Sequence, residues 1–405
     1  MDGSGSFDLL EEVFSRVRES SIFRDRDKLS PDYVPSRLPF REEQIARLGA
    51  ILAQALKGYK PNNAFIYGLT GTGKTAVVRY VLERLREKAQ EIQVPVTVAY
   101  VNCRQRDTEY RVLSDVLDSL GVRVPFTGLS IAELYRRLVR ALERGRARLI
   151  VVLDEIDYVL RKHGDDLLYR LLRINGELPE PSVSIIGITN DLNFVDSLDP
   201  RVKSSLGEEE IVFPPYNARQ LQAILEERAS LAFKNGVLDE GVIGLCAAIA
   251  AREHGDARKA LDLLRVAGEI AEREGSSRVT VEHVNKARNQ LERDRVFEVV
   301  STLPLHAKLV LLAVVKLIDA KGKATTGEIY SVYTELAGRV GVEAVTQRRA
   351  TDILSELDML GILSARVVSR GRYGKTKTVT LSSSRGSIIE ALKTDDIIGR
   401  LIEED

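Results

Sequence analysis

The sequence predicts an α/β fold: a five-stranded parallel sheet, then a helical subdomain, then a smaller domain of helices and a hairpin. Three observations predict it. Between Asn63 and about Phe213, five short apolar runs alternate with helical patterns, as in a parallel sheet covered on both faces. From Asn217 to about Gln290 the pattern turns wholly helical. Beyond it, three helical segments precede two β-type runs joined by a Gly- and Arg-rich tip. A chain of 405 residues is too long for one ordinary domain, which agrees with this division.

Taken in order, Met1–Ser6 is polar and Gly-rich, and Phe7–Glu19 places Leu9, Leu10, Val13, Phe14 and Val17 on one helical face. Pro31, Pro35 and Pro39 then predict an extended stretch over Asp25–Pro39. Arg41–Lys57 reads as a helix. The five strands are expected at Ala64–Tyr67, Val96–Asn102, Leu149–Asp154, Ser184–Thr189 and Glu210–Phe213. Leu149–Leu153 is entirely apolar, so it should be a central strand buried on both faces. The all-helical part breaks near Gly236 and Gly275. In the last part, helices at Leu305–Ala320, Thr326–Gly338 and Thr346–Leu360 precede a hairpin of Ile362–Val368 and Thr376–Leu381. That is the winged-helix order, a relative of helix-turn-helix.

Composition narrows the function classes. Lys+Arg and Asp+Glu number 59 each, so any affinity for nucleic acid must come from a local patch. No run of about 18 apolar residues exists to span a membrane. The opening MDGSGSFDLLEEVF carries acids where a signal peptide needs basic residues, so a cytoplasmic, nucleoid-associated protein is expected. Cys103 and Cys246 follow no metal-ligand spacing and read as buried small hydrophobes, and the four histidines do not cluster.

The chemistry begins at Gly68-Leu69-Thr70-Gly71-Thr72-Gly73-Lys74-Thr75, which has the spacing G-x-x-x-x-G-K-[ST] between a predicted strand and a predicted helix. Gly68, Gly71 and Gly73, with Thr70 and Thr72, let backbone N–H groups approach phosphate oxygens at a helix N-terminus. Lys74 is expected on the β- and γ-phosphates, and the Thr75 hydroxyl on Mg²⁺. The strand Leu149–Leu153 ends in Asp154-Glu155, at the carboxyl end where α/β sites lie. Asp154 is expected to hold Mg²⁺ through water and Glu155 to orient and deprotonate the attacking water. Asn190 ends the next strand, where its amide can position water or sense the γ-phosphate. No guanine-specific N-K-x-D stretch occurs. ATP/ADP with Mg²⁺ is therefore the expected ligand set.

At the other end, the third helix of the winged-helix pattern opens Thr346-Gln347-Arg348-Arg349. Its polar first turn can face phosphates and base edges while Ile353, Leu354, Leu357 and Leu360 pack inward. The hairpin carries Arg366, Arg370, Arg372, Lys375 and Lys377 and no acid between Leu363 and Leu381. These seven cations are the expected DNA contacts. The bland alternative is a hairpin guarding its edges with basic residues.

With these residues on the page, the chain resembles the AAA+ ATPases, and more narrowly the archaeal origin-recognition and cell-division-control family of replication initiators. The resemblance runs from about Asp25 to Leu381. It is carried by Asp32-Tyr33-Val34-Pro35, Arg41-Glu42, the P-loop, Asp154-Glu155-Ile156-Asp157, Ile188-Thr189-Asn190-Asp191, Leu198-Asp199-Pro200-Arg201-Val202, Phe213-Pro214-Pro215-Tyr216 and Gly255-Asp256-Ala257-Arg258-Lys259-Ala260. It implies an N-terminal tail and helix over 1–24, an AAA+ nucleotide-binding domain over 25–216, a helical lid over 217–295 and a winged-helix DNA-binding domain over 296–405. It also implies that Asn190 is a sensor, that Arg258 senses phosphate from the lid, and that Val34, Pro35 and Tyr216 wall the adenine. The candidates for a trans-acting basic residue are Arg201 and Lys203, since Ser205 stands where the family often has a basic residue before Leu206; either the chain lacks the family's usual trans-acting arginine or Arg201 does the work. Helical patterns at Thr108–Leu120 and Ser130–Arg144 match the family's DNA-touching insertion.

The function the resemblance implies is an ATP-dependent replication initiator that binds duplex origin DNA and helps load the replicative helicase, with other initiator subunits as further partners. Its ATPase is expected to be weak and regulatory. The competing readings are a clamp-loader-like AAA+ ATPase, which would end in a helical collar, a signalling switch ATPase, which would carry repeat sensor domains, and an ATP-responsive DNA-binding regulator.

Overall fold

Alternation inside the apolar runs decides the layers of the first domain. In a strand successive side chains point to opposite faces. In the computed structural model, which describes residues 21–31, 33–145, 148–180, 182–192, 194, 198–206, 208–369 and 375–403, Leu149, Val151 and Leu153 enter one apolar cluster and Ile150 and Val152 the other. Each such side chain, once buried, contributes roughly 1.5–3 kcal/mol. Helices Glu42–Leu56 and Lys74–Glu91 cover one face, and Glu109–Ser119, Ile131–Arg144, Ile156–His163 and Asp166–Arg173 cover the other.

The strands are β1 (Asn63–Tyr67), β2 (Val96–Asn102), β3 (Arg148–Asp154), β4 (Val183–Thr189) and β5 (Glu208–Val212). They pair in parallel in the order β2-β3-β4-β1-β5. β1 thus lies between two strands that come later in the chain, and the crevice at its carboxyl end is a topological switch point. Register brings Asp154 opposite Ile188, and Tyr67 opposite Thr189. The strand ends at Asp154 and Asn190 are therefore neighbours of the P-loop that follows Tyr67.

The stretch expected to be extended contains a 3₁₀ turn at Arg26–Leu29, because the Asp25 carboxylate caps it by accepting from the Asp27 amide at 3.2 Å. Just before it, Phe23 packs on Phe233 with ring centroids 4.8 Å apart. The expected helix Phe7–Glu19 lies outside the described residues.

Ala218–Ala232, Val242–Arg252 and Ala257–Arg273 form the lid helices, the first opened by a reciprocal capping box between Asn217 and Gln220. Gly236 and Gly275, the predicted breaks, fall between helices. A further break at Glu253–Asp256 has no Pro to announce it; His254 and Gly255 both take positive φ there.

The chain divides into two compact units, Met1–Val284 and Asn285–Asp405. The second is built on Leu305–Lys321, whose residues Leu309–Val315 are all buried. Around it pack Thr326–Val340, Gln347–Met359 and an antiparallel sheet of β6 (Ala324–Thr325), β8 (Lys375–Leu381) and β7 (Leu363–Ser369), in the order β6-β8-β7. The predicted three helices and hairpin are present. The two-residue β6 and the final helices Arg385–Leu392 and Asp396–Glu403 were not predicted, since each is too short for a periodic signal.

Among the described residues no helix is long and apolar enough to cross a membrane, and no His/Cys/Asp/Glu group could hold a metal ion by itself. Both cysteines are buried.

Candidate functional site

The P-loop turn depends on backbone that other residues rarely adopt. Gly71 has φ 72°, and a Cβ there would lie 1.7 Å from the Asp256 carboxylate oxygen Oδ1. Its small size therefore serves the approach of the lid as well as the turn. The Lys74 ammonium, 6% exposed, donates to Gly68 O (2.7 Å), Leu69 O (2.8 Å) and Asn190 Oδ1 (2.8 Å). Burial brings it down to about 8, opposed by the Asp154 carboxylate and assisted by the Arg258 charge.

Thr75 Oγ1 donates to Asp154 Oδ2 at 3.1 Å, and the Tyr100 hydroxyl donates to the same oxygen. Burial, and then Asp154, push the Tyr100 phenol up, so it stays protonated as a donor. A hydroxyl and a carboxylate oxygen side by side suit Mg²⁺, which takes one or two carboxylates together with waters and phosphate oxygens. Glu155 follows in the left-handed region at φ 53°. A non-glycine residue there costs of order 1 kcal/mol, and such outliers gather at functional sites. Its carboxylate has the Arg104 guanidinium 3.9 Å away.

The lid meets this site directly. Asp256 caps the helix Ala257–Arg273 by accepting from the Arg258 and Lys259 amides, and the Ala257 amide donates to Gly71 O at 3.1 Å. Gly255, at φ 67°, packs so closely that a Cβ would lie 2.3 Å from Tyr216 O. Beneath these contacts Arg41, 2% exposed, donates to Thr72 O (2.9 Å), Phe40 O (2.9 Å) and Pro214 O (2.7 Å). Its guanidinium lies 3.8 Å from the centre of the Tyr216 ring. One side chain thus ties the P-loop to the hinge that leads into the lid.

These elements enclose a cavity of about 360 Å³. Val34, Pro35, Thr70, Gly71, Thr72, Gly73, Lys74, Thr75, Asp154, Glu155, Asn190, Tyr216 and Arg258 all line it. The fold therefore brings together the nucleotide-site residues expected from the sequence, with two exceptions. Gly68 does not line the cavity but presents its carbonyl to Lys74. Arg201 also lies outside, exposed and held by Asp199 at 3.1 Å.

In the winged-helix unit, Arg348 and Arg349 are exposed on the first turn of Gln347–Met359, which Thr346 caps. Arg349 reaches along its own helix to Glu356 at 2.8 Å. Arg366 is exposed on β7. Lys377 is half-buried and donates to Ser355 Oγ at 2.7 Å, joining the hairpin to this helix. Arg370 and Arg372 lie outside the described residues, as does the side chain of Lys375.

Sequence reasoning assigned no role to Arg41, Tyr100 or Asp256. Arg41 stood in a quoted stretch without a task, and Tyr100 sat unmarked in an apolar strand. A capping Asp before a helix was the one local signal for Asp256.

Family models match residues 37–186 (AAA ATPase domain), 222–289 (Cdc6 AAA+ ATPase-type lid domain) and 298–391 (CDC6, C terminal winged helix domain). The chain is 60% identical over 389 residues to ORC1-type DNA replication protein 1 of Sulfurisphaera tokodaii, covering 96% of this chain and 97% of that protein. It is also 60% identical over 395 residues to ORC1-type DNA replication protein 1 of Aeropyrum pernix, covering 97% and 100%. Among solved structures it is similar to the Aeropyrum pernix ORC1 protein in complex with DNA, with TM-score 0.86, 60% identity and coverage of 95% and 100%. Cdc6p from Pyrobaculum aerophilum follows with TM-score 0.61, 26% identity and coverage of 95% and 99%.

Proposed function

The chain belongs to the ORC1/Cdc6-type family of AAA+ replication initiators, and on that premise we propose that it binds duplex origin DNA, switches state by slow ATP hydrolysis and helps load the replicative helicase. The observation that carries the switch is the Ala257 amide on Gly71 O, with Arg258 in the same cavity wall as Lys74. A lid so attached responds to whatever fills the phosphate cradle, a hinge-type transition. Binding of the triphosphate exchanges the carbonyl partners of Lys74 for phosphate oxygens. Thr75 and Asp154 would hold Mg²⁺, which would supply charge neutralisation for the bound triphosphate. Glu155 takes the proton of the attacking water, Asn190 orients that water, and Arg258 reports the γ-phosphate to the lid. Arg201 or Lys203 of one subunit serves a neighbour in trans.

DNA binding is supported by the exposed Arg348, Arg349 and Arg366 on one small domain, and by the likeness to a relative solved in complex with DNA. Arg370, Arg372, Lys375 and Lys377 complete the basic wing, and the helices Glu109–Ser119 and Ile131–Arg144 add a second contact.

The deciding experiment is footprinting on origin-containing genomic DNA with and without ATP. Discrete protected tracts that change with ATP are expected. A uniform cleavage ladder in both conditions would refute the proposal.

A further inference from the structure

Two residues of strand separate Tyr100 from the level of Asp154, because parallel register pairs Tyr100 with Val152 and Asn102 with Asp154. That is a rise of about 6.6 Å, a span that a tyrosine side chain covers. The ring packs on the apolar cluster that also holds Val98 and Val152. The Arg79 guanidinium, on the cavity wall, lies 5.1 Å from the ring centre. Tyr100 itself is not among the residues that line the cavity.

Asp154, 5% exposed, has a donor on each carboxylate oxygen. Oδ1 accepts from the Glu155 amide at 3.0 Å, and Oδ2 accepts from Tyr100 and, at 3.1 Å, from Thr75 Oγ1. Donors on both oxygens hold the carboxylate against rotation and offset the cost of burying its charge. The two hydroxyls have different tasks. A hydroxyl oxygen has two lone pairs, so Thr75, which lines the cavity, can face a cation while its proton stays on Asp154. Tyr100 acts on the site through Asp154. Partners of this kind orient a metal-holding group and raise its basicity.

We propose that Tyr100 is a positioning residue for the metal, its hydroxyl holding the Asp154 carboxylate in the orientation that binds Mg²⁺ with the nucleotide. The proposal rests on the assignment of Thr75 and Asp154 to Mg²⁺. It adds a residue of β2 to that site and predicts a defect confined to the metal.

The test is calorimetric titration of the full chain with ATP, in Mg²⁺ and in EDTA, for the wild type, Tyr100→Phe, Asp154→Asn and the double variant. Tyr100→Phe keeps the ring and its Arg79 contact and removes only the hydroxyl. The wild type should bind ATP more tightly in Mg²⁺ than in EDTA. Tyr100→Phe should lose about tenfold of that gain, the lower end for such partners, with affinity in EDTA unchanged. In the Asp154→Asn background the same change should alter the gain by less than about twofold, because the two side chains act as one unit. A Tyr100→Phe that keeps the full Mg²⁺ gain overturns the proposal. So does an equal loss in Mg²⁺ and in EDTA, which makes the hydroxyl a prop of the fold, and so does a loss that persists undiminished in the Asp154→Asn background. A wild type that gains nothing from Mg²⁺ overturns the Mg²⁺ assignment itself.

Discussion

Raising the pH from 7 to 9 should weaken ATP binding about tenfold through Lys74 alone. The Lys74 ammonium titrates at about 8 in place of its ordinary 10.5, because burial disfavours the charge. It is thus about nine-tenths protonated at pH 7 and about one-tenth at pH 9. A triphosphate beside it restores the charged form, so binding above pH 8 takes up a proton. The ratio of protonated fractions gives the tenfold loss, about 1.4 kcal/mol. The same lowering acts on stability without nucleotide: the unfolded chain binds the extra proton between about pH 8 and 10.5, so the Lys74 contribution to stability rises across that window and is lost as pH falls through 8. Calorimetric titration at pH 7, 8 and 9, in buffers of different ionisation heat, measures both the Kd and the proton uptake. Lys74→Arg keeps its charge throughout and should show a flat profile. A wild-type Kd that is constant from pH 7 to 9, with no proton uptake at pH 9, would refute the reasoning.

Other perturbations address the rest of the site. Glu155→Gln should keep ATP binding but stop turnover, and unchanged phosphate release would remove Glu155 from its role. Gly71→Ala adds a Cβ 1.7 Å from Asp256 Oδ1 at φ 72°. It should lower ATP affinity at least about tenfold and speed amide exchange in 257–273; unaltered exchange there would contradict the docking contact. Arg41→Ala removes three donors to backbone carbonyls, the one to Thr72 O buried and the other two partly buried. A loss of about 3 kcal/mol in denaturant unfolding is expected, and a neutral result would deny Arg41 its tying role. In the wing, Arg370→Ala with Arg372→Ala should reduce the salt slope of DNA binding by about 2. An identical slope would place the contact elsewhere.

Contiguous chemistry was readable before folding. The P-loop, Asp154-Glu155 and Asn190 are marked by spacing and by their positions at strand ends, and sheet register then places them together. The same holds for the apolar run Leu149–Leu153, whose two-sided burial follows from alternation. Lys377 differs: from the sequence it is one more wing cation, yet its ammonium bonds Ser355 inside the unit. A positive residue in a basic stretch carries no mark of which way its side chain points.

Arg258 of the lid was singled out by the family resemblance; what the sequence by itself determined was a phosphate-binding turn, an acid pair and an amide at strand ends, and a basic hairpin. Each rests on residues close in the chain, where backbone geometry alone dictates the neighbours. Only the tertiary structure decided that Arg41 joins Thr72 to Pro214, that Tyr100 shares Asp154 with Thr75, and that Arg228 holds Ser30 and Tyr33. Those partners lie far apart in the chain or on separate strands. A single buried arginine or tyrosine has no periodicity, and it acquires its role when packing strips water from its polar atoms and leaves the nearest carbonyl or carboxylate to replace it.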